Sequence, residues 1–244
     1  MSARLPARLP TCLPTCLPPV RPVPTPAPVP GLRPAAEPAA ILAGRYGGEP
    51  LRVLVIPGLC DSGPGHWQTW LQGQYRDALR VQQADWHTPD LRRWAGRIGQ
   101  VLARHPRTAW IAVAHSFGCL ALARHLLEQP AVPDGPGLRA ALLVAPAEPA
   151  KFGVEALLPQ HGLGLPATVV GSRTDPWMTL DRARLWAQRW GSRFVDLGEA
   201  GHINVESGHG PWPYGRLLVD RLIRQEHARR RLMRAHPMEL SYAV

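Results

Sequence analysis

The sequence predicts an α/β protein in which helices cover both faces of a mostly parallel sheet. Short, almost continuously apolar runs recur along the chain, which is typical of strands buried on both faces. Segments with apolar residues at helical spacing separate these runs. With 244 residues the chain can bury a substantial core in one domain of this class.

Strands and helices alternate from residue 51 onward. We predict strands at 51–56, 80–85 (the weakest), 109–114, 138–145, 167–171 and 193–197. Helices are predicted at 65–76, 89–104, 119–128, 180–190 and 215–234. In sheets of this kind the functional groups gather at the carboxyl ends of the strands.

Composition divides the chain into three parts. Residues 1–40 repeat short Pro-containing units that cannot build a core, so we predict a disordered leader, with a ligand for a proline-binding domain as the alternative. Residues 41–228 form the predicted α/β domain, and residues 229–244 form an Arg-rich tail.

The basic net charge of +10 does not carry the pattern of a nucleic-acid-binding protein. Lys151 is the sole lysine, and no interleaving of aromatic and basic residues accompanies the arginines, so we expect no nucleic-acid partner. No apolar run is long enough for a membrane helix, and prolines interrupt the N-terminal segment where a signal peptide would be apolar. We therefore expect a cytoplasmic protein with a small-molecule substrate, no membrane partner and a monomeric state.

The four cysteines form no metal-binding pattern. Cys12 and Cys16 lie in the Pro-rich segment, whereas Cys60 and Cys119 are isolated among apolar neighbours. This spacing favours reduced thiols over a disulfide framework.

A short acidic and histidine-containing stretch is the remaining candidate for a metal site. It holds Asp85, His87 and Asp90, but the adjacent Pro89 favours turn and cap roles, and no further ligand lies near in sequence. We expect neither a metal nor a cofactor.

A serine, an aspartate and a histidine each follow a different predicted strand. Ser116 follows 109–114, Asp175 follows 167–171 and His202 follows 193–197. Serine needs a neutral imidazole to take its proton, and a carboxylate on the other imidazole nitrogen fixes the tautomer. The order serine, acid, histidine is that of α/β-hydrolases, so these residues are the predicted catalytic triad.

The turn around the serine is a variant of the G-x-S-x-G motif, in which a sharp strand-to-helix turn exposes the serine hydroxyl. The sequence here is Ala114-His-Ser-Phe-Gly118, with alanine in place of the first glycine. Both flanking positions must be small because the strand and helix backbones approach each other closely. The motif alone is weak, because A-x-S-x-G occurs often by chance, and a helix N-cap is the alternative role for Ser116.

Alternatives exist for the other two members. Asp175 precedes Pro176, and its role could be simply to initiate a turn. In that case Asp181 or Asp196 would supply the carboxylate. His209 competes with His202 but lies farther from the last strand.

An oxyanion intermediate needs two preorganised N–H donors. The predicted donors are the backbone N–H groups of Phe117, directly after the serine, and of Leu59 in the loop after the first strand, with Cys60 as the alternative to Leu59. His66, Trp67 and His115 are candidates for lining the substrate pocket, although His66 and Trp67 could simply begin a helix.

Several stretches together resemble a known family. They are Val55-Ile-Pro-Gly-Leu59, Ser62-Gly-Pro-Gly-His-Trp67, Ala84-Asp-Trp86, Pro89-Asp-Leu91, Ala114-His-Ser-Phe-Gly-Cys-Leu120, Leu143-Val-Ala-Pro146, Ser172-Arg-Thr-Asp-Pro176 and Gly201-His-Ile-Asn-Val-Glu-Ser-Gly-His-Gly-Pro-Trp212. Over about residues 51–224 the chain resembles the small serine hydrolases of the YdeN type, which include retinoblastoma-binding protein 9.

The resemblance implies an α/β-hydrolase fold without a large lid domain, and Ser116, Asp175 and His202 as the triad. It implies no particular substrate. No Leu-x-Cys-x-Glu stretch occurs, so a retinoblastoma-protein partner is not expected.

The predicted function is hydrolysis of a small ester, thioester or amide through an acyl-enzyme. A protein that keeps the fold but acts as a binding module is the alternative class, since fold alone does not fix function. An acyltransferase using the same acyl-enzyme is a further alternative.

Overall fold

The structure is a computed structural model that describes residues 51–132 and 135–234, with the backbone alone at Arg234. The predicted leader, residues 1–40, lies outside the described residues, as do residues 235–244 of the predicted tail. The division of the chain into leader, domain and tail therefore stays a prediction.

A six-stranded sheet forms the centre of the domain, and all of its strands are parallel. Its strands are β1 (Leu51–Ile56), β2 (Leu79–Arg80), β3 (Ala109–His115), β4 (Gly137–Val144), β5 (Ala167–Gly171) and β6 (Arg193–Asp196). Their order across the sheet is β2-β1-β3-β4-β5-β6. Parallel pairing brings the carboxyl ends of β3, β5 and β6 to one edge, where the predicted triad residues follow.

The described part of the chain has five α-helices, four of which connect strands while the fifth follows the last strand. They are α1 (Trp67–Gly73), α2 (Leu91–Arg104), α3 (Phe117–Glu128), α4 (Leu180–Arg189) and α5 (Pro213–Arg234). Two short 3₁₀ helices, Pro149–Phe152 and Glu155–Leu157, lie between β4 and β5. The long helix α5 continues into the residues that composition assigns to the Arg-rich tail.

Apolar side chains alternate between the two faces of the sheet, as successive strand residues must. In β1, Leu54 and Ile56 pack with α2, α3 and α4, whereas Val53 and Val55 pack with α1 and α5. The prediction of an α/β protein with helices on both faces is confirmed. None of the helices in the described residues combines the length and apolar character needed to cross a membrane.

The edge strand β2 is shorter than the predicted 80–85. It pairs with β1 only at Leu79 and Arg80, after which the N–H of Val81 donates to the Val55 carbonyl at 2.9 Å. Farther on, the carbonyl of Trp86 accepts from the N–H of Cys60, also at 2.9 Å. The segment therefore leaves the sheet and runs beside the loop that follows β1.

The two described cysteines differ in their redox state. Cys119 is a free, buried thiol, as expected from the sequence. Cys60 is disulfide-bonded, so the expectation of reduced thiols is wrong at this position.

Candidate active site

The backbone turns sharply at Ser116, between the end of β3 at His115 and the start of α3 at Phe117. Ser116 has φ 52° and ψ −124°, a conformation that costs a residue other than glycine of order 1–3 kcal/mol. Its N–H donates to the Val144 carbonyl at 3.1 Å, which holds the turn against β4. The side chain makes no capping hydrogen bond, so the interpretation of Ser116 as a helix cap is wrong.

Two glycines let the loop after β1 approach this turn. A Cβ on Gly118 would lie 2.3 Å from the Pro57 carbonyl oxygen, and a Cβ on Gly58 would lie 2.7 Å from the Cβ of Ser116. Real Cβ atoms do not approach other atoms so closely, so both positions require glycine. The backbone around Gly58 consequently lies directly against Ser116.

Ser116, His202 and Asp175 are connected by a continuous line of hydrogen bonds. His202 Nε2 lies 2.9 Å from Ser116 Oγ, and His202 Nδ1 lies 3.0 Å from each carboxylate oxygen of Asp175. The side chains of His202 and Asp175 are only 9% and 3% exposed. A carboxylate in this position holds the imidazole proton on Nδ1 and leaves Nε2 as the acceptor that faces the serine hydroxyl.

The loops that carry Asp175 and His202 are tied to each other. Ser172 Oγ accepts from the N–H of Ala200 at 2.9 Å, and Thr174 Oγ1 accepts from the N–H of Gly201 at 3.0 Å. These bonds fix the spacing between the carboxylate and the imidazole without involving either side chain.

The residues considered as alternatives for the acid and the base do not join this line of hydrogen bonds. Asp181 is exposed and pairs with Arg184, while Asp196 bonds Arg173 at 3.0 Å and the Gly198 N–H at 2.8 Å. His209 Nδ1 lies within hydrogen-bonding distance of its neighbour Ser207. In the described residues, none of these three contacts Ser116.

The structure bears on which backbone N–H groups are free to act as oxyanion donors. Phe117 is the first residue of α3, where backbone N–H groups have no partner within the helix. The N–H of Cys60 is occupied by the Trp86 carbonyl, whereas that of Leu59 donates to no backbone acceptor in the described chain. Leu59 is therefore the better placed of the two alternatives.

The three pocket candidates occupy different positions. His66 caps α1, its Nδ1 accepts from the Gln68 N–H at 3.1 Å, and burial lowers its pKa to about 4. Trp67 is fully buried, so its assignment to the pocket lining is wrong, because its ring packs in the core under α1 and α5. His115 is 5% exposed and its Nε2 lies 2.9 Å from the His202 carbonyl oxygen. The Nε2 atom of His115 is therefore engaged by the protein backbone and not directed into a pocket.

An aromatic cluster beside the turn was not recognised in the sequence. Phe117 packs against Trp94 and Phe152 at centroid distances of 5.2 and 5.0 Å, and Trp177 lies 6.3 Å from the His202 ring. Phe152 follows β4 and Trp177 follows β5. Their positions after strands were the feature of the sequence from which a place near the site could have been predicted. These side chains make the neighbourhood of Ser116 largely apolar.

The candidate metal stretch forms ordinary local structure. Asp85 accepts from the N–H groups of His87 and Thr88, and Asp90 caps α2 by accepting from the Arg93 N–H at 3.0 Å. Across 51–132 and 135–234, no cluster of three potential metal ligands is found.

The parallel sheet, the sharp serine turn and the serine–histidine–aspartate line define an α/β-hydrolase. A family model described as "Serine hydrolase" matches residues 53–221, and the chain belongs to this family. No curated protein sequence matches the chain significantly.

Comparison with solved structures also finds similarity to hydrolases. A protein of Pectobacterium atrosepticum described as a YdeN-like hydrolase is 36% identical, with a TM-score of 0.65 over 71% of this chain and 92% of that one. The ydeN gene product of B. subtilis is 19% identical, with a TM-score of 0.57 over 70% and 98% of the two chains. The resemblance to YdeN-type hydrolases is thereby confirmed, while the link to retinoblastoma-binding protein 9 stays a prediction.

A more distant structure shares the fold. Thermogutta terrifontis esterase 2, solved as its phosphonyl adduct with cyclosarin, is 15% identical, with a TM-score of 0.53 over 73% of this chain and 83% of that chain.

Proposed function

We propose that this serine hydrolase cleaves a small ester, thioester or amide through an acyl-enzyme, with Ser116 as nucleophile, His202 as general base and Asp175 as its orienting acid. The observation that supports the proposal best is the unbroken line from Asp175 through His202 Nδ1 and Nε2 to Ser116 Oγ. The proposed nucleophile, base and orienting acid are all side chains of this chain.

The first half of the reaction acylates the enzyme. His202 Nε2 takes the proton of Ser116 as Oγ attacks the carbonyl carbon, and the carbonyl oxygen becomes the oxyanion. The imidazolium then gives that proton to the leaving alcohol, thiol or amine as the scissile bond breaks. The buried carboxylate of Asp175 stabilises the imidazolium and keeps the ring in register.

The second half regenerates the enzyme. Water loses a proton to His202 Nε2 and attacks the acyl carbon, and the proton returns to Ser116 Oγ as the acid product leaves. In both halves the N–H groups of Phe117 and Leu59 would donate to the oxyanion, a kind of contact worth about 10²–10³ in kcat when one donor is removed elsewhere.

The aromatic surroundings support an acyl group of small apolar character. Phe152, Trp86 and Leu59 are partly buried apolar residues packed on the core cluster that contains Phe117. An apolar acyl chain would be transferred out of water on binding, which favours it over a charged one.

A fluorophosphonate probe tests the proposal, since the phosphonylated Thermogutta esterase shows that a protein of this fold accepts such a group. Purified protein is expected to be labelled on Ser116 and to hydrolyse p-nitrophenyl acetate. Ser116→Ala is expected to lose labelling and at least about 10³-fold in turnover.

Two results would overturn the assignment. Labelling of a different serine would reassign the nucleophile. Folded wild-type protein without labelling and without ester turnover would favour the binding-module alternative.

A further inference from the structure

Two buried side chains from separate parts of the chain donate hydrogen bonds to consecutive carbonyl groups beside the general base. His115 Nε2 lies 2.9 Å from the carbonyl oxygen of His202, and Trp67 Nε1 lies 2.7 Å from that of Ile203. His115 and Trp67 are 5% and 0% exposed. Neither hydrogen bond belongs to a helix or a strand pairing. One is accepted by the backbone of His202 itself, and the other by the backbone of the next residue, Ile203.

The backbone at this point has a conformation that must be held in place. Ile203 has φ 49°, in the left-handed region that a β-branched residue rarely adopts. Such conformations persist only where surrounding contacts over-determine them, and they cluster at functional sites. The two side-chain donors supply such contacts on either side of the Ile203 nitrogen.

Trp67 makes further contacts with the same loop. Its backbone N–H donates to the His209 carbonyl at 3.1 Å, and its ring packs edge-on against Trp212 at 5.1 Å. The start of α1 is thus attached to both ends of the segment from His202 to Trp212. These contacts join the motif that ends at Trp67 to the motif that ends at Trp212, two stretches that are far apart in the sequence.

We propose that His115 and Trp67 are positioning residues that hold the His202 loop so that His202 Nε2 stays within hydrogen-bonding distance of Ser116 Oγ. The pair of side-chain donors is called the His202 clamp below. The inference rests on the proposed function, because it gives His202 the role of base. It assigns to His115 and Trp67 an effect on turnover that acts through His202 and not through contact with substrate.

The chemistry of the bond fixes the state of the His115 ring. A carbonyl oxygen only accepts, so Nε2 of His115 must carry a proton. The rings of His66, Trp67 and His202 surround it at centroid distances of 5.0, 5.9 and 4.9 Å. Burial lowers the pKa of His115 well below its usual value, so its ring is neutral with its one proton on Nε2.

The chain offers matched controls for both members of the clamp. Trp190 is 1% exposed and its Nε1 donates to the Pro159 carbonyl at 3.2 Å. It precedes the amino end of β6, whereas the triad loops follow the carboxyl ends of the strands. His125 is 2% exposed in α3 and also bonds a backbone group, that of Ala95. Substitutions at Trp190 and His125 remove the same kind of buried donor without touching the His202 loop.

Steady-state kinetics with p-nitrophenyl acetate form the first arm of the test. His115→Leu and Trp67→Phe remove one N–H donor each and are expected to lower kcat about 10- to 100-fold with KM changed less than about threefold, since small displacements of a catalytic group cost that much. His125→Leu and Trp190→Phe are expected to keep kcat within about threefold of the wild type, whatever they cost in stability.

A conservative variant separates a positional effect from a general packing defect. Gln at position 115 can place its amide nitrogen near the site of the imidazole Nε2, so His115→Gln is expected to recover most of the kcat that His115→Leu loses. An unchanged kcat in His115→Leu, an equal loss in His125→Leu, or no recovery in His115→Gln would each overturn the proposal.

Amide hydrogen exchange forms the second arm, which does not depend on activity. Peptides that cover residues 198–209 are expected to exchange at least about tenfold faster in His115→Leu and Trp67→Phe than in the wild type, and unchanged in the two control variants. Unchanged exchange in the clamp variants would overturn the clamp even in an active enzyme. If the wild type proves inactive, the proposed function fails, and this arm decides the clamp alone.

Discussion

At Ser116 the backbone has φ 52° and ψ −124°, and the side chain bonds His202 instead of the helix that follows. True caps in the same protein look different. Asp90 has φ −84° and ψ 97° and accepts from the N–H of Arg93, as N-cap residues usually do. A strained backbone with a hydroxyl turned away from the helix does not stabilise the helix as a cap does, which agrees with the proposed role of Ser116 as the nucleophile.

The first prediction compares Ser116 with Asp90. Ser116→Ala is expected to change the free energy of unfolding by less than about 0.5 kcal/mol, because the side chain is half-buried, water can replace its hydrogen bond and no cap is lost. Asp90→Ala is expected to lose about 1 kcal/mol. Urea unfolding of both variants beside the wild type measures the difference, and a larger loss in Ser116→Ala than in Asp90→Ala would contradict it.

The second prediction concerns the acid. In Asp175→Asn the amide oxygen can keep the bond that Asp175 Oδ1 accepts from the Trp177 N–H at 2.9 Å. The amide nitrogen then faces His202 Nδ1 and donates to it, which moves the imidazole proton to Nε2 and blocks proton abstraction from Ser116. We expect a loss of about 10⁴ in kcat with the fold intact.

Asp196→Asn is the matched control for this change. Asp196 lies at the end of β6, bonds Arg173 and is not in contact with His202 in the described residues. Its substitution is expected to leave kcat within about threefold of the wild type. Near-normal turnover in Asp175→Asn, with a collapse in Asp196→Asn, would assign the acid to Asp196.

At the scale of elements, the strands were the most predictable part of the chain. The runs predicted at 51–56 and 167–171 match β1 and β5, because strands buried on both faces must be apolar throughout. Ends set by tertiary contacts were less predictable. The predicted strand 80–85 reduces to Leu79–Arg80, because the following segment bonds the loop around Cys60 and not β1 alone.

The candidate site was predictable to a similar degree. Its three principal residues could be chosen because each follows a strand, and parallel topology collects strand ends at one edge. The His202 clamp could not be chosen this way. The Trp67–Ile203 bond joins residues 136 positions apart and depends on the direction of a buried ring, which no local pattern encodes.

The third prediction concerns the crossing of β1 and α3 at Gly118. A methyl group at this position would meet backbone atoms of Ile56 and Pro57 at 2.6 and 2.3 Å, and backbone cannot move aside as a flexible side chain can. Gly118→Ala is expected to lose about 3 kcal/mol in the free energy of unfolding and to lower turnover, because the turn at Ser116 must shift.

Gly96 provides the control for Gly118. It is an exposed residue inside α2, and a Cβ there would meet no atom within 4 Å. Gly96→Ala is expected to gain up to about 1 kcal/mol from helix propensity. Equal effects of the two substitutions in urea unfolding would show that the close approach at Gly118 does not limit stability.

At the scale of the whole molecule, burial keeps several histidines neutral in a basic protein. His66, His115 and His125 are each no more than 5% exposed, and burial lowers the pKa of all three. The chain already has a net charge of +10 with its histidines neutral. Protonation of these residues would add charge to a protein that repels itself, and it would place that charge where water is excluded.

The last prediction follows from the sign of these shifts. Unfolding returns a histidine such as His66 to an ordinary pKa of 6.5 from its folded value of about 4, so between these pH values the unfolded chain binds more protons than the native one. These histidines are therefore expected to leave the free energy of unfolding constant between about pH 7.5 and 8, and to make it fall steadily as the pH is lowered from 6.5 toward 4, by about 1.4 kcal/mol per pH unit for each such histidine.

His66→Gln tests the contribution of one residue, because glutamine keeps a side-chain acceptor for the Gln68 N–H but binds no proton. Urea unfolding between pH 4.5 and 8 is expected to show a slope on the acid side that is smaller by about 1.4 kcal/mol per pH unit than in the wild type. Parallel wild-type and His66→Gln curves would mean that His66 is protonated in the native state as readily as in the unfolded chain, and that the space around its ring admits water.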